Sequence, residues 1–190
     1  IDMNNKLINT IVESRLNQVL INELDSYLIN DVKEAYNLQD IVNKRLSPSG
    51  LGEIIGYKIG CTNESIQKEL GVNNPIFGPI FKNRIIENNK KISIKDFIKV
   101  GVECEIYVKI SKEINKNTNY NINNIKNFID NYGVSLELVE NRFLNIKKNK
   151  IEHIIIDGSL GNSIILGKEI SNHSSNFSKF IGRLFINNKE

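Results

Sequence analysis

The stretch GVECEIYVKI, residues 101–110, alternates with the period of two residues that is typical of a β-strand. Small or apolar side chains fill the even positions from Val102 to Ile110, and polar or larger side chains fill the odd positions from Glu103 to Lys109. We therefore predict a half-buried strand whose apolar face packs on the core. Glu103 and Glu105 then point to the same side, with their Cβ atoms about 6 to 7 Å apart.

Two carboxylates side by side on one strand face need an explanation, because like charges at this distance repel each other. A divalent cation removes the conflict, since carboxylate oxygens are the ligands that Mg²⁺ and Mn²⁺ prefer. A solvated outer face is the alternative, because pairs of exposed glutamates are common and need no ligand. This strand alone leaves both interpretations open.

A second strand-like stretch, GVSLELVENRF at residues 133–143, carries another glutamate on an otherwise small or apolar face. Glu137 shares its face with Ser135 and Val139, where an unpaired carboxylate is costly to bury. If this strand lies beside the first, Glu137 completes a set of three carboxylates that leaves positions open on a six-coordinate ion. The alternatives are that Glu137 pairs with Arg142 or lies in solvent.

Lys58 lies in a third strand-like stretch, between Gly56 and Gly60. Glycines at these positions permit a bend or a close approach of the backbone. A lysine held in such a strand near a metal can act as a general acid or base. The alternative is a strand lysine that extends its amine into solvent.

The order of patterns predicts an α+β fold, with an N-terminal helical region over residues 1–50 and a β-rich body over 51–190 as one structural unit. Apolar residues three or four apart predict amphipathic helices from about Lys6 to Leu46, with Asn30 or Asp31 as the cap of the second. A further short helix is predicted around residues 122–129. Strands are predicted in EIIGYKIG (53–60), part of ISIKDFIKV (92–100), VECEIYVKI (102–110), VSLELVEN (134–141), HIIIDG (153–158), SIILGKEI (163–170) and GRLFINN (182–188).

Composition limits the possible functions. The 190 residues are 40% hydrophobic and 25% charged, and their net charge of +3 is spread along the chain, so we expect no nucleic-acid partner. The two cysteines, Cys61 and Cys104, lie in apolar runs and are expected to be buried thiols rather than a disulfide or zinc site. Since no membrane-spanning run or signal peptide is evident, we expect a cytoplasmic protein without a membrane partner.

Six motifs in order resemble the 2-keto-4-pentenoate hydratase and 4-oxalocrotonate decarboxylase branch of the fumarylacetoacetate hydrolase superfamily. They are AYNLQD (35–40), GYKIGCTNESIQKELGV (56–72), PIFGPIF (75–81), VECEI (102–106), LELVENR (136–142) and DGSLGNSIILG (157–167). The resemblance implies an N-terminal helical region packed on a curved mixed β-roll, and the chain ends before the last strands that typical members have.

Carried over by position, the resemblance implies a Mg²⁺ or Mn²⁺ ion held by Glu103, Glu105 and Glu137, and a catalytic Lys58. Asp157 and Ser159 stand in the family's Asp-Asn-Ala run, with Gly158 in place of the asparagine, and are candidate substrate-binding residues. The resemblance further implies a small 2-oxo acid as substrate and a homo-oligomeric assembly.

The resemblance implies a metal-dependent lyase, with hydration of 2-hydroxypenta-2,4-dienoate to 4-hydroxy-2-oxopentanoate as the first expectation. Decarboxylation of 2-oxohex-3-enedioate is the alternative, and Ile76 favours it, because many hydratases of this branch have an aspartate at that position of the PIFG motif. A truncated, non-catalytic relative is a further alternative. Hydrolysis is disfavoured, because the hydrolases use an N-terminal histidine and here the first of the two histidines, His153 and His173, comes at residue 153.

Overall fold

The computed structural model describes residues 3–22, 24, 27–171 and 176–190, and it has the predicted α+β class. The helices are α1 (Met3–Asn17), α2 (Val32–Leu46), α3 (Glu64–Leu70), α4 (Ile122–Ile125) and α5 (Ile151–Ile156). The strands are β1 (Ile54–Gly60), β2 (Ile76–Phe81), β3 (Ile85–Ile86), β4 (Val100–Ile110), β5 (Ile129–Glu140), β6 (Gly161–Leu166) and β7 (Ile170–Ser171).

Helices α1, α2 and α5 build the core together with β2. Ala35, Leu38, Val42 and Leu46 form the buried stripe of α2, and they join the buried cluster that includes Phe81 of β2. Asp31 is the N-cap of α2 as predicted, because its side chain accepts a hydrogen bond from the Glu34 N–H at 2.8 Å. Among the described residues, no helix has the length and apolar character needed to cross a bilayer.

Three of the predicted elements are wrong. The helical pattern does not continue to Leu28, because α1 ends at Asn17 and Ile21, beyond it, forms a β-bridge with Phe143. Residues 153–158 are not a strand but belong to α5 and the turn after it. The segment 182–188 forms no strand, and its only pairing among the described residues is an isolated bridge between Ile186 and Lys189.

The larger sheet is mixed, with strand order β3-β6-β5-β4 and β7 paired to β5. Strands β4, β5 and β6 are antiparallel neighbours, whereas β3 and β6 are parallel. Strands β1 and β2 form a separate antiparallel pair, and β2 packs against β6. This arrangement brings Lys58 of β1 towards the face of the larger sheet that carries the glutamates.

The prediction that the apolar face of β4 packs on the core is wrong. Val102 is 43% exposed, and Ile106, Val108 and Ile110 are exposed to a similar degree. The reason is the position of β4, which lies at one edge of its sheet. The helices pack at the β2 side of the molecule and therefore do not cover the apolar face of β4. Cys104 is accordingly exposed, which contradicts the expected buried thiol, and Cys61 is half-buried.

His153 is fully buried in α5, and His173 lies outside the described residues.

Candidate metal centre

Three glutamates from two neighbouring strands meet in space. Glu103 of β4 lies directly opposite Glu137 of β5, and Glu105 follows two residues along β4 on the same face. One carboxylate oxygen from each of these residues lies within 4.8 Å of the other two. Glu137 is buried, Glu105 is half-buried and Glu103 is exposed, so the cluster is open on one side.

Glu137 is the most constrained of the three carboxylates. It is 1% exposed, and its Oε1 forms an ion pair with the Lys58 amine at 3.2 Å. Burial raises the pKa of Glu137 to about 7, although the positive charge of Lys58 opposes the shift. Burial likewise raises the pKa of Glu105. In the metal-free protein, burial therefore disfavours the ionised form of both carboxyls.

The donor set fits a divalent cation of the hard, oxygen-binding kind. Three carboxylates supply oxygen ligands, and one oxygen of each lies within 4.8 Å of the other two, as ligands of one ion require. Among the biological metals, Mg²⁺, Mn²⁺ and Ca²⁺ prefer ligands of this type, whereas a thiolate or imidazole set would favour zinc or copper. Glu103, Glu105 and Glu137 are thus the residues that could hold the ion.

Lys58 closes the buried side of the cluster. Its side chain is 6% exposed, and its Nζ lies 3.2 Å from Oε1 of Glu137. The Nζ also donates a hydrogen bond to the carbonyl oxygen of Ser159 at 3.1 Å. The alternative of a lysine that extends into solvent is therefore wrong.

Glycine at position 78 permits this placement of Lys58. Gly78 pairs with Lys58 between β2 and β1, and a Cβ atom at Gly78 would lie 2.1 Å from the carbonyl oxygen of Gly158. A side chain at position 78 would therefore separate β2 from the turn that follows α5. The close approach brings the Lys58 amine to both Ser159 and Glu137.

The amino-acid sequence is similar to the sequences of several enzymes. No family model matches the chain. It is 31% identical to a 2-keto-4-pentenoate hydratase of Burkholderia vietnamiensis over 83 residues, which are 44% of this chain and 31% of that protein. It is 24% identical to 2-keto-4-pentenoate hydratase 1 of Dechloromonas aromatica over 147 residues, 77% of this chain and 55% of that protein.

The fold resembles that of a solved structure. The structure of 4-oxalocrotonate decarboxylase from Pseudomonas putida G7, complexed with magnesium and adipate, matches with a TM-score of 0.82 at 20% identity. The match covers 90% of this chain and 65% of the decarboxylase. The chain therefore resembles the 2-keto-4-pentenoate hydratase and 4-oxalocrotonate decarboxylase branch in sequence and in fold. It spans about a third to a half of the length of the two hydratases above.

The two substrate-binding candidates that the branch suggested, Asp157 and Ser159, have partners within the protein. The Asp157 carboxylate is fully buried and accepts a hydrogen bond from Nη1 of Arg142 at 2.8 Å. The Ser159 hydroxyl donates to the carbonyl oxygen of Phe77 at 2.8 Å, and only the Ser159 carbonyl reaches Lys58. Their contact with substrate stays a prediction. The alternative pairing of Glu137 with Arg142 is wrong, because Arg142 pairs with Glu140 and Asp157.

The sequence-based predictions missed that two arginines are buried near the cluster, although they named Arg142 as a possible partner of Glu137. Arg142 is 1% exposed, and Arg15 of α1 is 6% exposed and donates to the carbonyl oxygen of Asp157. A signal for Arg15 was present, because it follows Leu7 and Ile11 at helical spacing on the buried face of α1. An arginine on such a face predicts a buried polar partner.

The raised pKa of Glu137 predicts a pH-dependent stability of the metal-free protein. A carboxyl whose pKa rises from 4.5 to about 7 on folding stabilises the fold below pH 4.5, and this contribution is lost as the pH rises through 7. We expect the free energy of unfolding to fall by up to about 3 kcal/mol over this range from this group. Denaturant titrations with a chelator present measure the decrease, and Glu137→Gln should remove it. Equal pH dependence in the wild type and the variant would contradict the prediction.

Proposed function

We propose that this chain carries the active site of a divalent-metal-dependent lyase that acts on small 2-oxo or 2-hydroxydienoic acids. The observation that supports it most is the placement of a buried lysine amine 3.2 Å from the innermost of three clustered carboxylates. A metal ion held there by Glu103, Glu105 and Glu137 would supply a Lewis acid that stabilises negative charge on the oxygens of a 2-oxo acid.

Lys58 is the proposed proton carrier. An ammonium group has three N–H donors, and Lys58 directs one to the Ser159 carbonyl and holds another beside Glu137. The third remains for the substrate. Because the side chain is buried and contacted on two sides, the amine is held in one place rather than free to rotate into water, as proton transfer to a defined carbon requires.

Hydration is the first proposed reaction. In 2-hydroxypenta-2,4-dienoate the C2 hydroxyl loses its proton and becomes a ketone, and a proton adds at C5. Water then adds across the resulting enone, with its hydroxyl at C4 and its proton at C3, which gives 4-hydroxy-2-oxopentanoate. Lys58 would deliver the proton that adds at C5 and could take part in the protonation of C3.

Decarboxylation is the second candidate, and Ile76 favours it. This side chain is buried in β2, where it pairs with Gly60 two residues from Lys58, so position 76 offers no carboxylate to orient water. In 2-oxohex-3-enedioate, cleavage of the bond to the distal carboxylate releases carbon dioxide, and the electron pair moves into the conjugated 2-oxo system. Protonation of the oxygen at C2 then gives 2-hydroxypenta-2,4-dienoate.

Incubation with each substrate tests the proposal. Protein and Mg²⁺ are mixed separately with 2-hydroxypenta-2,4-dienoate and 2-oxohex-3-enedioate, while loss of the conjugated chromophore and release of carbon dioxide are followed. Loss of absorbance with the first substrate supports the hydratase, and carbon dioxide from the second supports the decarboxylase. Turnover of neither compound, with Mg²⁺ still bound, would overturn the lyase proposal in favour of a non-catalytic relative.

The metal ligands can be tested without turnover. We expect Glu103→Gln and Glu105→Gln each to weaken Mg²⁺ or Mn²⁺ binding about 10- to 100-fold, because each removes one charged oxygen ligand. Isothermal titration calorimetry measures the dissociation constants. Glu113→Gln is the matched control, since Glu113 is an exposed glutamate that follows the same strand. Unchanged affinity in both ligand variants would contradict the assigned cluster.

A further inference from the structure

The turn between α5 and β6 has an unusual backbone. Gly158, Ser159 and Leu160 have φ angles of 87°, 55° and 61°, so three consecutive residues adopt left-handed conformations. Glycine adopts such angles readily, but Ser159 and Leu160 do so at a cost, and a conformation of this kind persists only where neighbouring groups hold it. This turn supplies the Ser159 carbonyl that accepts the hydrogen bond from Lys58.

Arg15 contacts both ends of the turn, and at Gly161 it shares the carbonyl oxygen with Nη2 of Arg142, which lies 2.9 Å away. The Nη1 of Arg15 donates to the carbonyl oxygen of Asp157, and its Nη2 donates to the carbonyl oxygen of Gly161 at 3.4 Å. Gly158 allows this approach, because a Cβ atom there would lie 2.2 Å from Nη1 of Arg15. The planar guanidinium carries its donors on separate nitrogen atoms, so it can bond two carbonyls that lie further apart than one ammonium could span.

Burial of the Arg15 guanidinium costs free energy, which its contacts must offset. It is buried at the end of α1, and burial, together with the nearby charge of Arg142, lowers its pKa to about 9. The partner carboxylates in this region, Glu140 and Asp157, already pair with Arg142. The hydrogen bonds of Arg15 go instead to backbone carbonyls of the turn.

We propose that Arg15 is a positioning residue for Lys58, which acts by fixing the turn at residues 157–161 and hence the Ser159 carbonyl that aligns the lysine amine beside Glu137. The kinetic part of this inference rests on the proposed lyase function. Its geometric part does not, because the environment of Lys58 can be measured in metal-free protein without any substrate.

Chemical modification of Lys58 is the first test. Acetylation by an N-hydroxysuccinimide ester is followed residue by residue with mass spectrometry in wild type, Arg15→Met and Arg15→Lys. We expect Lys58 to react about tenfold faster in Arg15→Met, because loss of the turn's anchor allows local opening around the amine. Arg15→Lys should lie between the two, since it keeps the charge and one hydrogen bond.

Arg45→Met is the matched control. Arg45 also links two helices, because its guanidinium donates to the side-chain oxygens of Asn5 and Asn9 on α1, but it lies away from the turn. We expect wild-type reactivity of Lys58 in this variant. If Arg15→Met does not fold, Arg15→Lys decides the question. Wild-type reactivity of Lys58 in the folded Arg15 variants would overturn the proposal.

Kinetics provide the second test. With Mg²⁺ and substrate, Arg15→Met should lower kcat about 10- to 100-fold with little change in KM, as for residues that orient a group of the active site. An equal loss in Arg45→Met would assign the effect to general destabilisation and overturn the positioning role. If wild type shows no turnover but Lys58 reactivity changes as expected, the positioning role stands and the proposed lyase function fails.

Discussion

Replacement of Lys58 by methionine is expected to lower lyase turnover by a factor of about 10² to 10⁴ while metal binding persists. In the proposed mechanism the amine moves the protons, and it lies beside the innermost carboxylate of the cluster. Methionine has a similar length and keeps the buried stem packed, but it cannot donate or accept the proton. Steady-state rates in saturating Mg²⁺ measure the effect.

Metal affinity separates a chemical role of Lys58 from a structural one. Removal of the ammonium deletes the positive charge next to Glu137, so the cluster becomes more negative and a cation should bind at least as tightly as in wild type. Calorimetric titration with Mg²⁺ measures this. Lys82→Met is the control, because Lys82 forms an exposed ion pair with Glu53 and should affect neither quantity. Wild-type rates in Lys58→Met would rule out the proton-carrier role.

The glutamates of the candidate site could be predicted because their pattern is local. Alternation in β4 and β5 places each glutamate on a strand face, and the period of two fixes which residues share it. Whether the two strands are neighbours could not be predicted from the sequence, so the three-glutamate cluster was predicted only on the assumption that they are. The register that sets Glu103 opposite Glu137 is a property of the paired strands, and the structure supplies it.

The errors have two different physical origins. The stretch around Ile154, Ile155 and Ile156 is apolar without interruption, and periodicity cannot separate a buried strand from a short buried helix in such a run. The face of β4 was misassigned for another reason. Alternation shows that a strand has two unlike faces, but which face is covered depends on where the helices pack, and β4 is an edge strand.

The contacts that place Lys58 depend on residues far apart in the chain. Its partner Ser159 lies about a hundred positions further on, and Arg15 reaches the same turn from the first helix. No local pattern contains this information. The lysine could be singled out from its flanking glycines, whereas its alignment follows only from the assembled fold.

Replacement of Arg142 by methionine is expected to destabilise the protein by about 3 to 5 kcal/mol, the cost of leaving buried charges without their partner. Arg142 is 1% exposed, and its guanidinium lies 2.8 Å from Oδ2 of Asp157 and 3.0 Å from Oε2 of Glu140. Both carboxylates are buried. Methionine fills much of the same space, so the expected loss comes from the uncompensated charges rather than from a cavity. Urea denaturation measures the free energy of unfolding.

A second substitution shows whether the charge of Asp157 is responsible. Glu140 keeps hydrogen bonds from the backbone N–H of Ile98 and the side chain of Asn162, whereas the Asp157 carboxylate accepts its side-chain hydrogen bond from Arg142 and has Arg15 as a second nearby cation. Asp157→Asn in the Arg142→Met background removes the stranded charge, so the double variant should lose less stability than the two single variants together. Lys82→Met, which breaks an exposed ion pair, should change stability by less than about 1 kcal/mol. Strictly additive losses would mean that Arg142 stabilises the fold by packing, and the buried ion pair would then have no measurable role in holding the turn behind the metal cluster.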